Sequence, residues 1–336
     1  MRLSGPAIKM SEQKQQGSFF GDDWQSLPGL QRFCHQAMAA SFEIFTVEKD
    51  ARYAQQAAHA AFDELDRLEA ELSRFIENSD ISRINNLPAG RPLRLGLSAF
   101  ECLQISSRIN TETNGAFDVT IGWLLGCWRN KDGTPRTPSQ QELDFARRHT
   151  GMHLLKLNDA EHTVELLTSP VRVDLGGIGK GYAVDRIAGL LQEWDIDTAL
   201  INGGYSSVLA LDGPAGTEGW PLTLSNPGNR SQTLARLHFR NNSLGASGLK
   251  KGQHIIDPRT AQPVKAKLAA WASAKDAATS DALSTAFMVM TPEEIGKYCS
   301  RHHDTRAMVI PADGDKEIRE DKILLFGPWK KEELLI

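Results

Sequence analysis

The stretch from Val173 to Asp185 sets four glycines, Gly176, Gly177, Gly179 and Gly181, around a single lysine, Lys180. It leads from a short β-branched segment into an amphipathic helix carrying Ile187, Leu190 and Leu191. Glycines let a backbone approach a ligand closely, and the amides at a helix start point at negative charge. The chemistry implied is anion binding with Lys180 as a mobile cation; a ligand-free connector is the competing reading. Two familiar phosphate loops are excluded by the letters. The nucleotide-triphosphatase loop needs a glycine where Asp174 stands and a Ser or Thr where Gly181 stands. The dinucleotide fingerprint needs its third glycine at Tyr182.

Asp281 and Thr285 stand four residues apart, so on a helix they share one face and aim two oxygens at one point. A carboxylate, a hydroxyl, a backbone carbonyl and phosphate oxygens suit magnesium, a hard cation that prefers octahedral oxygen. Capping by Asp281, with Thr285 bonded back to its own helix, is the alternative. His254 precedes Ile255-Ile256-Asp257-Pro258 in a polar turn, where a histidine serves either as a base or as a satisfied structural residue. Asn114-Gly115-Ala116-Phe117-Asp118 puts an aromatic and a carboxylate just after a helix stop, facing a ligand or simply capping a turn over a core Phe117.

These residues need elements to hold them. Ala58, Ala61, Phe62, Leu65, Leu68 and Leu72 recur at helical spacing, and Ser79 caps a short restart through Ile81 and Ile84. A further helix is expected from Ser98 with Glu101 closing a capping box, others from Thr137-Pro138 and Thr291-Pro292, and one over Ala277 to Met290. Strands are expected over Met38 to Phe45, as a meander from Leu154 to Asp174, from Thr198 to Ile201, two or three between Val208 and Phe239, and at Arg306 to Ile310 and Ile323 to Phe326. Residues 1–32 read as a polar arm anchored only by Phe19, Phe20 and Trp24, and residues 33–336 as one globular domain.

Composition narrows the function class. The net charge of -4, with 40% hydrophobic and 24% charged residues, fits a globular enzyme and offers no broad basic face for nucleic acid. Cys34, Cys102, Cys127 and Cys299 are too scattered for a zinc site or a disulfide framework. No apolar run reaches membrane-span length, and Met1 to Gln16 lacks a secretory apolar stretch, so the chain as written is expected in the cytoplasm unless a leader was removed.

Taken together, the motifs resemble the ApbE family of flavin transferases over roughly residues 35 to 310. The resemblance rests on Met38-Ala39-Ala40-Ser41, on Leu72-Ser73-Arg74-Phe75 with Ser79 to Asn85, on Asn114 to Asp118, and on the Asp174 to Asp185 loop. It extends to Asn202-Gly203-Gly204, His254 to Pro258, and Asp281-Ala282-Leu283-Ser284-Thr285. It implies an α+β, two-lobed fold of mixed or antiparallel sheets flanked by helices, with an FAD cleft between the lobes. The implied reaction moves FMN from FAD to a Ser or Thr hydroxyl of a target flavoprotein, releasing AMP, with Mg2+.

Carried across, the resemblance places Met38, Phe75, Ala116, Phe117, Asp118 and Ile255 along the FAD, with Asp174 and Lys180 as polar contacts. Asp281, Thr285 and the Gly177 carbonyl match the metal ligands, Asp281 and Lys180 serving the catalytic step as well. His254 is the candidate base, with an acidic neighbour or a water held by the metal as rivals. Departures from the family pattern are Ala39-Ala40, Val119, Trp123, Tyr205 and Ala246, and Ser284 stands where some relatives have a second carboxylate. The acceptor motif expected in clients, Asp-Gly-x-Ser/Thr-Gly-Ala-Ser/Thr, does not occur in this chain. The family usually works outside the cytoplasmic membrane, which stands against the expected compartment. An FAD pyrophosphatase giving FMN and AMP, and a non-catalytic FAD-binding protein, are the alternative functions.

Overall fold

The computed structural model describes residues 27, 29–130, 133–229, 231–249, 254–312 and 322–334. The expected arm falls mostly outside them, as do Phe19, Phe20 and Trp24, and the folded part begins slightly earlier than Phe33. Its first strands, β1 (Leu30–Ala37) and β2 (Ala40–Val47), pair antiparallel across a turn made by Met38 and Ala39, both at positive φ. Met38 was expected to open a strand; the left-handed backbone there turns the chain instead.

Helix α1 (Ala51–Leu72) follows, capped by Asp50, which accepts from the amides of Arg52 and Tyr53. The short α2 (Asp80–Asn85) is capped by Ser79 as the letters suggest. After β3 (Pro92–Arg94) comes α3 (Leu97–Glu112), whose cap is Gly96 with no side-chain bond. The capping box expected from Ser98 and Glu101 does not form, because each finds a tertiary partner: Ser98 accepts from Arg67, and Glu101 takes the Tyr182 hydroxyl. The next helices are α4 (Gly122–Trp128) and α5 (Gln140–Arg148). The second starts later than Thr137-Pro138 predicts, because Ser139 and Glu142 supply a complete capping box.

Strands β4 (Leu155–Asn158) and β5 (Thr163–Leu166) join β3 in a three-stranded sheet, and the Val171 to Asp174 segment contributes only a bridge from Arg172 to Ile121. Then come α6 (Gly179–Glu193), β6 (Ala199–Gly203), β7 (Ser207–Ala210), β8 (Trp220–Ser225), β9 (Thr233–Phe239) and β10 (Asn242–Gly248). The chain closes with β11 (Ile256–Asp257), β12 (Gln262–Pro263), β13 (Lys267–Ala274), α7 (Ala277–Val289), α8 (Pro292–Arg301), β14 (Arg306–Pro311) and β15 (Leu324–Phe326).

The result is α+β. An antiparallel eight-stranded sheet runs β1-β2-β6-β7-β10-β13-β14-β15. Alternate residues of its strands feed two separate cores, as the period-2 geometry of a strand requires. Ile201, Ala272 and Val309 join the core under α1, α6 and α7, whereas Leu200, Trp271 and Met308 face the β8–β9 hairpin with Trp220, Leu237 and Phe239. A third, smaller cluster ties α4 and α5 to the β11–β12 ribbon through Leu124, Leu143, Ile256 and Ala261. Among the described residues no helix is long and apolar enough to cross a membrane.

Candidate active site

Helices α6 and α7 meet more closely than ordinary side chains permit. A Cβ on Gly181 would lie 2.2 Å from the Ala277 carbonyl oxygen and 2.8 Å from the Asp281 Cβ. One on Gly245 of β10 would lie 2.0 Å from the Ser280 carbonyl oxygen. Two glycines therefore let α7 sink between α6 and the sheet. Asp185 locks the contact, accepting from the Ala277 and Ala278 amides at 2.7 and 2.8 Å and so holding the start of α7. Withdrawal of the Asp185 carboxyl from solvent outweighs these two donors and, with Asp276 and Asp281 nearby, raises its pKa to about 7.

The close packing brings Asp281 and Thr285 against the glycine loop. Asp281 is 2% exposed; its Oδ2 accepts from the Gly181 amide at 3.1 Å, and among the described residues Oδ1 has no partner. A Cβ on Gly177 would stand 3.3 Å from the Thr285 Oγ1, so the loop backbone lies directly beside that hydroxyl. Lys180, at the start of α6, carries no hydrogen bond or ion pair among the described residues, and its Cδ packs beside Gly204. Asp281 neither caps α7 nor belongs to its first turn; Asp276 is the cap.

These residues border a cavity of about 1470 Å³, larger than the roughly 300–1,000 Å³ of a common small-molecule site. Phe75, Ala116, Phe117, Asp118, Asp174, Gly177, Lys180, His254, Ile255, Asp281 and Thr285 all line it. Met38 does not: it packs against the core from the β1–β2 turn. That turn still approaches the site, since a Cβ on Gly204 would meet the Ala40 Cβ at 2.7 Å and the Lys180 Cδ at 3.6 Å.

Two carboxylates expected along the FAD are already engaged. The Asp118 carboxylate accepts from the Thr120 amide and hydroxyl at 2.8 and 2.6 Å, from the Met152 amide at 3.0 Å and from Asn110 at 3.3 Å. Burial nonetheless raises its pKa above the usual carboxylate value, against those donors. The side chain thus fastens the turn, while Ala116 and Phe117 supply wall. Asp174 pairs with Arg74 Nε at 2.9 Å and accepts from the Gly176 amide at 2.8 Å. Arg74 in turn covers the ring of Phe75, which is 81% exposed. Ile255 is buried in the main core and joins the cavity edge, its carbonyl accepting from Val264. The acidic neighbour of His254, Asp257, is paired with Arg259 at 3.2 Å.

Arg74, Asp185 and the hydroxyl of Ser247 also bear on the site without a local signal, and Ser284, noted in the sequence only as a missing carboxylate, contributes a hydroxyl. Arg74 sat within a quoted motif, but nothing in its neighbours announces the pair with Asp174. Asp185 reaches amides 92 residues further on, which no local pattern records.

The family model described as the ApbE family matches residues 38–310. The chain belongs to the ApbE family. Curated relatives include the FAD:protein FMN transferase of Escherichia coli K12, 27% identical over 75% of this chain and 76% of the relative. That of Klebsiella pneumoniae strain 342 is 30% identical over 70% of each chain. Among solved structures, the ApbE protein of Thermotoga maritima superposes with a TM-score of 0.76 at 25% identity, covering 87% of this chain and 97% of its own. The flavin transferase ApbE of Vibrio cholerae gives 0.75 at 21% identity, covering 88% and 97%. The α+β architecture with its antiparallel sheets is therefore that of ApbE structures.

The donor set at the α6–α7 corner suits Mg2+. One free carboxylate oxygen, one hydroxyl and an adjacent glycine backbone are hard oxygen ligands, and Mg2+ is commonly held by one or two carboxylates with phosphate and water completing its shell. Among the described residues no group of three or more His, Cys, Asp or Glu is placed to hold a metal ion, so a cation at this corner would draw on the hydroxyl and backbone oxygens as well as the one carboxylate.

Proposed function

We propose that this chain is an FAD:protein FMN transferase, joining FMN from FAD through a phosphoester to a Ser or Thr hydroxyl of a client flavoprotein and releasing AMP. The observation that carries the reading is the meeting of Asp281, Thr285, Gly177 and Lys180 at one corner of a dinucleotide-sized cavity. Phe75, Ala116, Phe117 and Ile255 would form the apolar wall for the flavin, while Met38 packs behind it against the core. The Asp174–Arg74 pair would present a polar edge, and Asp118 would act from behind by holding Ala116 and Phe117 in place.

Asp281, Thr285 and the Gly177 carbonyl would hold Mg2+, which when bound supplies charge stabilisation to phosphoryl oxygens. In the transfer, the client hydroxyl oxygen forms a bond to the FMN phosphorus while the bond from that phosphorus to the AMP oxygen breaks. The hydroxyl proton passes to His254, which lines the same cavity. Lys180 offsets the negative charge that grows on the departing AMP. The Gly181 amide keeps the Asp281 carboxylate from turning away.

Incubation with FAD, Mg2+ and a peptide bearing Asp-Gly-x-Ser/Thr-Gly-Ala-Ser/Thr tests the reading, with peptide mass and AMP followed together. An FMN-sized mass gain with stoichiometric AMP, abolished by chelation of the metal, is expected. Free FMN and AMP without modified peptide would make the protein an FAD pyrophosphatase. Unchanged FAD would make it a binding protein.

A further inference from the structure

Ser247, near the end of β10, lines the cavity and contacts two hydroxyls of α7: Ser284 Oγ at 2.8 Å and Thr285 Oγ1 at 3.1 Å. Ser284 is fully buried, is not among the residues lining the cavity, and donates to the Asp281 carbonyl at 2.8 Å. A hydroxyl has one proton to donate and can accept through its lone pairs. Because a carbonyl can only accept, the Ser284 proton is committed to Asp281. The short contact between Ser247 and Ser284 must then be made with the Ser247 proton. Ser247 has nothing left to give Thr285, so the contact at 3.1 Å is made with the Thr285 proton. Thr285 could otherwise point its proton at the Asp281 carbonyl, but that oxygen is 3.5 Å away and the choice would leave two bare oxygens facing each other.

One arrangement keeps all three hydrogen bonds, and it runs from Thr285 through Ser247 and Ser284 to the Asp281 carbonyl. We infer that Ser247 is a positioning residue which, together with Ser284, turns the Thr285 proton away from the cavity and leaves a Thr285 lone pair free for a hard cation such as Mg2+. This rests on the reading of Asp281 and Thr285 as metal ligands, and it adds two residues that would act on the metal through Thr285. A polarised chain of this kind also makes the Thr285 oxygen a better donor to a cation, since each hydrogen bond strengthens the next.

Titration of the full protein with Mn2+, following the free-ion electron paramagnetic resonance signal with and without FAD, tests the inference independently of turnover. Ser247→Ala is expected to weaken Mn2+ binding by about 10- to 100-fold, the range for loss of a group that orients a ligand. Ser247→Thr, which keeps the hydroxyl on a strand, is expected to bind within a few-fold of the parent. Ser284→Ala releases Ser247 to donate to Thr285 and occupy its lone pair, so it too should weaken binding, although residue 284 does not line the cavity. Asp281→Asn serves as the control for the site itself. If Asp281→Asn loses Mn2+ while Ser247→Ala and Ser284→Ala bind like the parent, the hydroxyl chain has no positioning role and the metal site stands. If Asp281→Asn also binds like the parent, the metal assignment fails and the inference with it. Equal losses in Ser247→Ala and Ser247→Thr would trace the effect to packing and overturn the inference.

Discussion

Asp118 and Asp281 stand on the wall of the same cavity, 8% and 2% exposed, and yet one is spent and the other is available. Asp118 follows the end of α3 in an irregular turn, where unengaged amides and a hydroxyl lie two residues away at Thr120 and close by at Met152. Its oxygens are saturated by them. Asp281 sits in the middle of α7, where neighbouring amides already bond within the helix. Only a group from outside can reach it, and a single amide, that of Gly181, does so. A carboxylate in a turn tends to serve its own backbone, whereas one inside a helix is left for a partner brought by tertiary packing.

That contrast can be broken by experiment. Asp281→Asn keeps an oxygen for the Gly181 amide and removes the charge, so FMN transfer should fall by about 100-fold or more while the melting temperature stays close to that of the parent. A variant that transfers normally would remove Asp281 from the site. Gly181→Ala forces a Cβ to within 2.2 Å of the Ala277 carbonyl oxygen and should separate α6 from α7, at a cost of about 1–3 kcal/mol. Denaturant melts together with transfer rates would report both consequences, and an undisturbed melt would mean that the two helices are free to yield.

Asp118→Asn presents an amide to donors that now meet a carboxylate, so a loss of stability of about 1–2 kcal/mol is expected with transfer kept within a few-fold. The reverse pattern, full stability with transfer lost, would show Asp118 acting on the ligand and dissolve the comparison. A pH-dependent effect concerns the far end of α7, where the buried Lys267 donates to the carbonyls of Phe287, at 2.6 Å, and Met290. Burial pushes the Lys267 ammonium down to about 8, with Glu294 opposing. A base with a lowered folded pKa binds fewer protons folded than unfolded, so its contribution to stability rises as pH climbs from about 8 toward the usual lysine range. Urea melts on either side of that value should show the rise in the parent and not in Lys267→Met.

Much of this contrast is written locally, and some of it is not. Ser79 capping α2, Thr291 capping α8 and the apolar stripe of α1 are properties of adjacent residues, and they fold as their spacing predicts. Glu101 had the right spacing for a capping box, but Tyr182 of α6 competed for it and won. Met38 followed a strand-like pattern on paper, and the turn between β1 and β2 claimed it because the register from Leu30 to Val47 leaves Met38 and Ala39 unpaired.

For this protein the sequence alone determined which candidate groups could share a site. Four residues of separation put Asp281 and Thr285 on one helix face, and the glycines around Lys180 permitted a close approach, because both depend only on backbone geometry. Tertiary structure alone decided which oxygens remained free. That outcome depends on where distant donors fall: Arg74 on Asp174, Met152 on Asp118, Gly181 on Asp281, and Ser247 on the hydroxyl of Thr285. A hydrogen bond is won by whichever partner packing brings within about 3 Å, and no spacing along a chain encodes that distance.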